Sequence, residues 1–147
     1  MLSKSLNRRR NDDGFTLIEL LVVVVILGIL IGIAIPVYLN YRKSANDKAA
    51  QSDLRNAIST LEVCNSDGGY PTVANETTGA LTGCDSQTPL KLSSGTKIRY
   101  VYAAGPPISY TIYARNDGGS NKVYCYNSTA GGGVKTATGG VLADATC

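Results

Sequence analysis

The feature that most constrains this chain of 147 residues is a long apolar segment near its N-terminus. No Asp, Glu, Lys or Arg occurs between Leu20 and Tyr41, and the segment is rich in Val, Ile and Leu. About 20 apolar residues in a helix cross the hydrocarbon core of a bilayer, whereas an open strand would leave its backbone groups unsatisfied there. The sequence therefore predicts a membrane-spanning helix, and the remaining length allows one compact domain.

A single acidic residue, Glu19, stands at the entrance of this segment. A carboxylate at that position is costly in lipid, so it indicates a functional role and a partner that neutralises it. Basic residues precede it and are followed by two aspartates and a glycine: Lys4, Arg8, Arg9, Arg10, Asp12, Asp13 and Gly14. Because positive residues flank the N-terminal side, we expect that end in the cytoplasm and the bulk of the chain outside.

This N-terminus resembles those of type IV prepilins and type II secretion pseudopilins. Members of that family have a short basic leader that ends in Gly, a mature chain that begins with Phe, and a Glu as its fifth residue. Gly14, Phe15 and Glu19 match these positions, and Pro36 matches a proline inside the family's apolar helix. The resemblance implies that a prepilin peptidase cuts after Gly14 and methylates the amine of Phe15. It also implies that Phe15, Glu19 and Pro36 take part in filament assembly.

Two interpretations of the apolar helix follow from Gly28, Gly32 and Pro36, which lie four residues apart. Small residues at that spacing allow close contact between helices. Alternatively, Pro36 weakens the helix, because it cannot donate to the carbonyl of Gly32. The family resemblance favours the second interpretation, since filaments of the family lose helicity in this stretch.

The helix is expected to continue from the membrane segment into the domain. Between Arg42 and Val63, four apolar residues follow the i, i+3, i+4, i+7 spacing of an amphipathic helix: Leu54, Ala57, Ile58 and Leu61. The charged residues of this stretch are expected on the opposite, solvated surface: Asp47, Lys48, Asp53, Arg55 and Glu62. A helix from Phe15 to Val63 results, lying in its second half on a sheet.

Antiparallel strands are predicted in the second half of the chain. Residues 65–96 read as a long loop with a short strand near Leu90–Leu92. Three β-rich runs follow, at Lys97–Ala104, Ser109–Arg115 and Lys122–Ser128, separated by Gly, Pro and Asn-Asp-Gly turn signals. A tail from Val134 to Cys147 holds at most one weak strand. The predicted fold is α+β: a long N-terminal helix packed on a small antiparallel sheet. Its domains are a leader (1–14), an apolar helix (15–41) and a globular head (42–147).

All four cysteines, Cys64, Cys84, Cys125 and Cys147, follow the apolar segment. An even number of cysteines in a small exported domain predicts two disulfides. A zinc site is the alternative, but no two cysteines have the short spacing of a zinc knuckle. We expect Cys64–Cys84 and Cys125–Cys147, because each bond closes a local loop around a poorly structured segment.

Composition argues against catalysis and weakly against nucleic-acid binding. The chain has no His, which removes the commonest general base and metal ligand, and we predict no catalytic residue, metal or cofactor. The whole chain has 14 Lys/Arg and 11 Asp/Glu residues, of which the leader holds four Lys/Arg and two Asp. The chain after Gly14 therefore has ten basic and nine acidic residues, which is close to neutral and lacks the dense positive charge of most nucleic-acid binders. Six tyrosines alternate with other residues in the predicted strands: Tyr100, Tyr102, Tyr110, Tyr113, Tyr124 and Tyr126. Because Lys97, Arg99, Arg115 and Lys122 lie near them, they could stack on nucleic-acid bases. Alternatively, they form cross-strand pairs within the sheet. The cross-strand interpretation is preferred.

These observations predict a structural subunit of a type IV pilus. It is stored in the inner membrane as a single-pass precursor and then polymerised into a homo-oligomeric extracellular filament. Its expected partners are identical subunits, the prepilin peptidase, the pilus assembly machinery and, before assembly, the membrane. A type II secretion pseudopilin and a competence-type DNA-binding pilin stay open as alternatives. The Cys125–Cys147 region resembles the disulfide-bounded C-terminal region of many major pilins, which favours the pilus subunit.

Overall fold

The computed structural model of the chain describes residues 14–71, the backbone of residues 75–77, and residues 90–147. The described residues form one helix and five strands. These are α1 (Leu17–Asp67), β1 (Asn75–Thr77), β2 (Thr96–Ala103), β3 (Ser109–Asn116), β4 (Tyr124–Asn127) and β5 (Lys135–Thr136). The chain divides into two compact units, Met1–Tyr38 and Leu39–Cys147, and α1 supplies residues to both. Except for Gly14, the expected leader lies outside the described residues.

The five strands form one antiparallel meander in the order β1-β2-β3-β4-β5. The β2–β3 pair is the longest, running from Thr96 opposite Asn116 to Ala103 opposite Ser109. The predicted α+β class, with one long helix on a small antiparallel sheet, is confirmed. The strand expected near Leu90–Leu92 is wrong, because those residues have no strand structure. Leu90 is buried in the core instead, so its apolar side chain indicated burial and not strand pairing.

The second half of α1 covers one face of the sheet. Leu54, Ala57 and Leu61 from the predicted stripe are fully buried, together with Ala50. They pack against buried strand residues of that face: Ile98, Tyr100, Tyr110, Ile112, Ala114 and Tyr124. The helix ends four residues later than predicted, at Asp67, where the N–H groups of Gly68 and Gly69 donate to the carbonyl of Cys64 (3.0 and 3.1 Å). Gly69 adopts a φ of 104°, which favours glycine and ends the helix.

The opposite face of the sheet is covered by the C-terminal tail. Tyr113, Val123 and Cys125 form a second buried cluster with Leu142 and Ala145. The sheet is therefore buried on both faces, by the helix on one side and by the tail on the other. A central strand such as β3 accordingly buries residues of both alternations.

Two charged residues of the helix do not lie where the sequence predicted them. Asp47 and Asp53 are buried, at 7% and 4% exposure, and not on the solvated surface. Each carboxylate accepts hydrogen bonds from the backbone and side chain of a serine in a distant loop, Ser120 for Asp47 and Ser93 for Asp53. Burial of a carboxylate is tolerated when hydrogen bonds replace its lost hydration.

Candidate functional site: the N-terminal segment and the head

The first turn of α1 is held by a reciprocal pair, Thr16 and Glu19. The backbone N–H and the hydroxyl of Thr16 both donate to Oε2 of Glu19 (2.8 Å each), and the backbone N–H of Glu19 donates to Oγ1 of Thr16 (3.3 Å). This is a capping box, in which the residue before the helix and its third residue satisfy each other's backbone donors. The helix accordingly begins at Leu17 and not at the predicted Phe15. The Thr-x-x-Glu signal was present in the sequence, and the sequence analysis missed it.

Phe15 and Glu19 lie together at one open, mainly apolar groove. Its volume is about 440 Å³, and it is lined by Phe15, Ile18, Glu19, Val22 and Val23. Phe15 itself is 89% exposed. The groove therefore combines an apolar surface with a single carboxylate at the start of a helix, where the helix dipole favours negative charge.

The apolar part of α1 is exposed along its whole length. Every large apolar residue from Leu17 to Leu39 is at least 48% exposed in the single chain. Among the described residues, α1 is the one helix whose length and composition allow it to cross a membrane. Pro36 lies inside this helix, which is continuous through it in the single chain.

In the head, a disulfide joins strand β4 to Cys147 at the end of the tail. Cys125 on β4 is bonded to Cys147, with Cα atoms 5.7 Å apart and a sequence separation of 22. Arg99 on β2 fastens the same tail, because its Nη1 donates to the carbonyls of Leu142 (3.0 Å) and Ala143 (2.7 Å). Cys64 is buried and disulfide-bonded. Cys84 lies outside the described residues, so the Cys64–Cys84 pairing stays a prediction.

The strand tyrosines are part of the packing between helix and sheet. Tyr100, Tyr110, Tyr113 and Tyr124 are buried, and Tyr102 pairs with Tyr110 across the β2–β3 ladder. Burial raises the pKa of Tyr100 to about 12, and its hydroxyl donates to the carbonyl of Pro71 (2.9 Å). Burial, and then the carboxylate of Glu62 at 2.7 Å, raise the pKa of Tyr110 as well. The four buried rings are therefore closed to stacking by a base, and Tyr102 is partly buried against the same core.

Three of the four basic residues near these tyrosines have other partners. Lys97 and Arg115 both form ion pairs with Asp117, at 2.9 and 3.0 Å, and these two bonds lower the pKa of Asp117. Arg99 lies over the ring of Tyr113, 5.6 Å from its centroid. No cluster of three metal-ligating side chains occurs among the residues that the structure describes. The geometry of the head is that of a packed structural domain.

A long helix that is apolar in its first half and packed on a small antiparallel sheet in its second half defines the pilin class of fold. The family profile described as "Prokaryotic N-terminal methylation motif" matches residues 9–35. The type IV major fimbrial protein FimA of Dichelobacter nodosus is 34% identical over 128 residues, which is 87% of this chain and 72% of that protein. The chain therefore belongs to the type IV pilin family.

Other relatives match shorter parts of the chain. The type IV wide pilus major component PilA4 of Thermus thermophilus is 46% identical over 54 residues, covering 37% of this chain and 41% of that protein. The type II secretion system core protein G of Aeromonas hydrophila is 38% identical over 68 residues, covering 44% of this chain and 46% of the relative. No solved structure matches the chain significantly.

Proposed function

We propose that this chain is the structural subunit of a type IV pilus and that it polymerises through its N-terminal helix. The observation that carries the proposal is the exposed apolar surface between Leu17 and Leu39, where each large side chain is at least 48% exposed in a single copy. An apolar surface of this size is covered in the cell by lipid or by other protein. A membrane before assembly and neighbouring copies after assembly supply these two environments in turn.

Processing and export follow from the sequence around Gly14. The basic residues Lys4 to Arg10 hold the N-terminus in the cytoplasm, and the head lies on the other side of the membrane. The prepilin peptidase removes residues 1–14 and methylates the new amine of Phe15. The pilus assembly machinery then transfers the mature chain from the inner membrane into an extracellular filament of identical subunits.

Glu19 has two roles in this proposal. In its own chain it caps the helix, because Thr16 donates two hydrogen bonds to its carboxylate. In the filament it pairs with the α-amine of Phe15 of an adjacent subunit, because a buried carboxylate needs a cation once water is removed. Such a pair fixes the axial register of neighbouring subunits.

The similarity to a major fimbrial protein covers 87% of the chain, whereas the similarity to the secretion protein G of Aeromonas hydrophila covers 44%. The first similarity therefore extends over most of the head, residues 42–147. This supports the pilus subunit over the pseudopilin. The buried tyrosines likewise give no support to the DNA-binding alternative.

The test separates capping from charge pairing at Glu19. A strain that lacks the gene is complemented with the wild type, Glu19→Ala, Glu19→Gln or Thr16→Ala, and surface filaments are counted by electron microscopy. Gln keeps the hydrogen bonds of a capping box but has no charge. We expect Glu19→Ala and Glu19→Gln to lose most filaments, while Thr16→Ala, which keeps the carboxylate, retains them.

Immunoblots of the membrane fraction serve as the control, since every variant should be inserted at the wild-type level. Abundant normal filaments built from Glu19→Ala subunits alone would show that the carboxylate is dispensable. A wild-type gene that restores protein secretion without restoring any filament would identify a pseudopilin and overturn the proposal.

A further inference from the structure

A cationic groove lies on α1 immediately after the apolar segment. Its volume is about 240 Å³, and it is lined by Leu39, Arg42, Lys43, Asn46 and Gly118. The four helix residues follow the i, i+3, i+4, i+7 spacing and so share one face of the helix. Arg42 and Lys43 are exposed, whereas Leu39 gives the groove an apolar end.

The other wall of the groove is the turn between β3 and β4, which is fixed against the helix. Nδ2 of Asn46 donates to the carbonyl of Gly118 (2.8 Å), and the N–H of Gly118 donates to Oδ1 of Asn116 (2.9 Å). A Cβ atom at Gly118 would overlap the amide of Asn46, so any other residue here would displace that side chain. Hydrogen bonds therefore hold this turn against the helix face that carries Arg42 and Lys43.

Two acidic residues that the structure describes next to the groove, Asp47 and Asp117, are bonded to other groups. Asp47 is buried and accepts two hydrogen bonds from Ser120. Asp117, the neighbour of Gly118, forms ion pairs with Lys97 and Arg115. Among the described residues that line the groove, two are cations and none is an acid. A negatively charged ligand is the chemical class that such a groove accepts.

The position of the groove in the chain indicates that this negatively charged ligand is a lipid headgroup. Between Phe15 and Tyr41 there is no Lys or Arg, so Arg42 and Lys43 carry the first cationic side chains of the mature chain. They directly follow the segment that spans the hydrocarbon core, at the level where lipid phosphates lie. Arg presents a forked donor that matches phosphate oxygens, and Leu39 lies beside it for the glycerol and acyl carbons.

We propose that this groove binds the phosphate of an anionic phospholipid in the outer leaflet of the inner membrane and so fixes the depth of the subunit before assembly. The inference rests on the proposed membrane-stored subunit and its orientation. Each cation near an anionic membrane surface contributes about 1 kcal/mol, so two together correspond to a preference of about 30-fold for an anionic lipid.

The test measures lipid binding by the full-length precursor in neutral detergent, using native mass spectrometry. Phosphatidylglycerol and phosphatidylcholine are compared as ligands for the wild type and for Arg42→Gln/Lys43→Gln. Lys48→Gln/Arg55→Gln is the charge-matched control, because it removes two exposed cations further along the same helix. The basic leader is present in every variant and cancels from the comparison.

We expect the groove variant to bind phosphatidylglycerol about 30-fold more weakly than the wild type, and the control variant to change less than about threefold. Binding of phosphatidylcholine should be the same for all three proteins. Equal losses in both variants, or no loss in the groove variant, would overturn the proposal. Inorganic phosphate that competes as well as the lipid would also overturn it, because the groove would then be a site for free anions.

A further outcome distinguishes a protein partner from a lipid. If the groove variant keeps its preference for phosphatidylglycerol but forms few filaments, the groove contacts acidic residues of a second copy, and the lipid proposal is wrong. The binding measurement requires no filament, so its failure leaves the pilus function standing. Conversely, failure of the Glu19 experiment does not change the lipid result.

Discussion

Asp47 and Asp53 hold two loops against the helix, each through one serine. Ser93 donates its N–H (2.9 Å) and its hydroxyl (3.1 Å) to the carboxylate of Asp53, which is 40 positions away in the chain. Ser120, 73 positions from Asp47, donates the same two groups to that carboxylate. The sequence predicted both aspartates on the solvated surface, since helical periodicity reports only which side chains share a face.

Replacing Asp53 by Ala should lower the free energy of unfolding by about 2–3 kcal/mol, because the N–H of Ser93 and its hydroxyl lose their acceptor in a partly buried site. Urea unfolding of the full-length precursor in detergent, followed by tyrosine fluorescence, measures the change. Asp67→Ala is the control, since Asp67 is exposed on the same helix. A similar loss in both variants would mean that negative charge, and not the Ser93 contacts, provides the stabilisation.

At the scale of elements, the helix is joined to the sheet by tyrosine hydroxyls as well as by apolar packing. Tyr110 on β3 and Tyr70 after the helix both donate to the carboxylate of Glu62, at 2.7 and 3.1 Å. The ring of Tyr110 also lies 4.9 Å from that of Tyr70 and 6.0 Å from that of Tyr100. The alternation of the tyrosines predicted cross-strand pairs. Their hydrogen bonds to Glu62 could not be predicted in the same way, because they depend on how the helix packs on the sheet.

These tyrosines predict a loss of stability at high pH. The pKa of Tyr100 is raised from an ordinary value of 10 to about 12, and that of Tyr110 is raised too, so folding favours the neutral phenol. A raised pKa contributes stability that is complete below pH 10 and is lost as the pH rises towards the folded pKa. Stability should therefore fall between about pH 10 and 12.

Spectrophotometric titration of the full-length protein checks this prediction, since ionised tyrosine absorbs at longer wavelength. Some of the nine tyrosines should ionise only as the protein unfolds, and Tyr100→Phe should reduce the slope of stability against pH above pH 10. Tyr41→Phe is a matched control, because Tyr41 is exposed. Normal ionisation of all tyrosines in the folded protein would contradict the burial of Tyr100 and Tyr110.

The tail depends on its disulfide to cover the second face of the sheet. Cys125→Ser/Cys147→Ser opens a loop with a sequence separation of 22 residues. By the loop-entropy relation the free energy of unfolding should fall by about 3 kcal/mol.

Hydrogen exchange provides a second measurement of the same variant. It should become faster at Leu142 and Ala145, which pack on Tyr113 and Val123. Ala130→Ser, an exposed change inside the same loop, should alter neither quantity. Unchanged exchange in the double variant would show that the tail is held in place without the disulfide.

At the scale of the whole molecule, the proposed function requires that cleavage after Gly14 converts a membrane precursor into a filament subunit. Removal of residues 1–14 takes away all the basic residues that precede the apolar segment and creates the amine of Phe15. The charge that opposes outward movement is thereby lost, and a cation that can pair with Glu19 is gained.

Intact mass spectrometry of protein sheared from the cell surface tests this conversion. We expect a chain that begins at Phe15 and is about 14 Da heavier than the unmodified sequence because of one methyl group. In Gly14→Leu the larger side chain should block the peptidase, so that the precursor accumulates in the membrane. Gly105→Leu, an exposed glycine in the head with open space around its Cβ position, is the control and should be cut normally. A surface protein that still begins at Met1 would contradict the processing prediction.

The sequence by itself determined the apolar helix, the family resemblance at Gly14, Phe15 and Glu19, and the antiparallel α+β plan. These follow from local properties, namely the absence of charge, the periodicity of apolar residues and the turn signals. The Thr16–Glu19 capping box is also local, and it could have been recognised from its spacing.

Only the tertiary structure decided which charges are buried and which are exposed. Asp47 and Asp53 turn inward because serines far along the chain meet them, and this leaves Arg42 and Lys43 beside Gly118 in a groove without an acid among its described residues. It also decided that the tail covers the second face of the sheet. The physical reason is the same in each case: a hydrogen bond or an electrostatic field depends on distances between residues that are remote in sequence, and no local pattern encodes them.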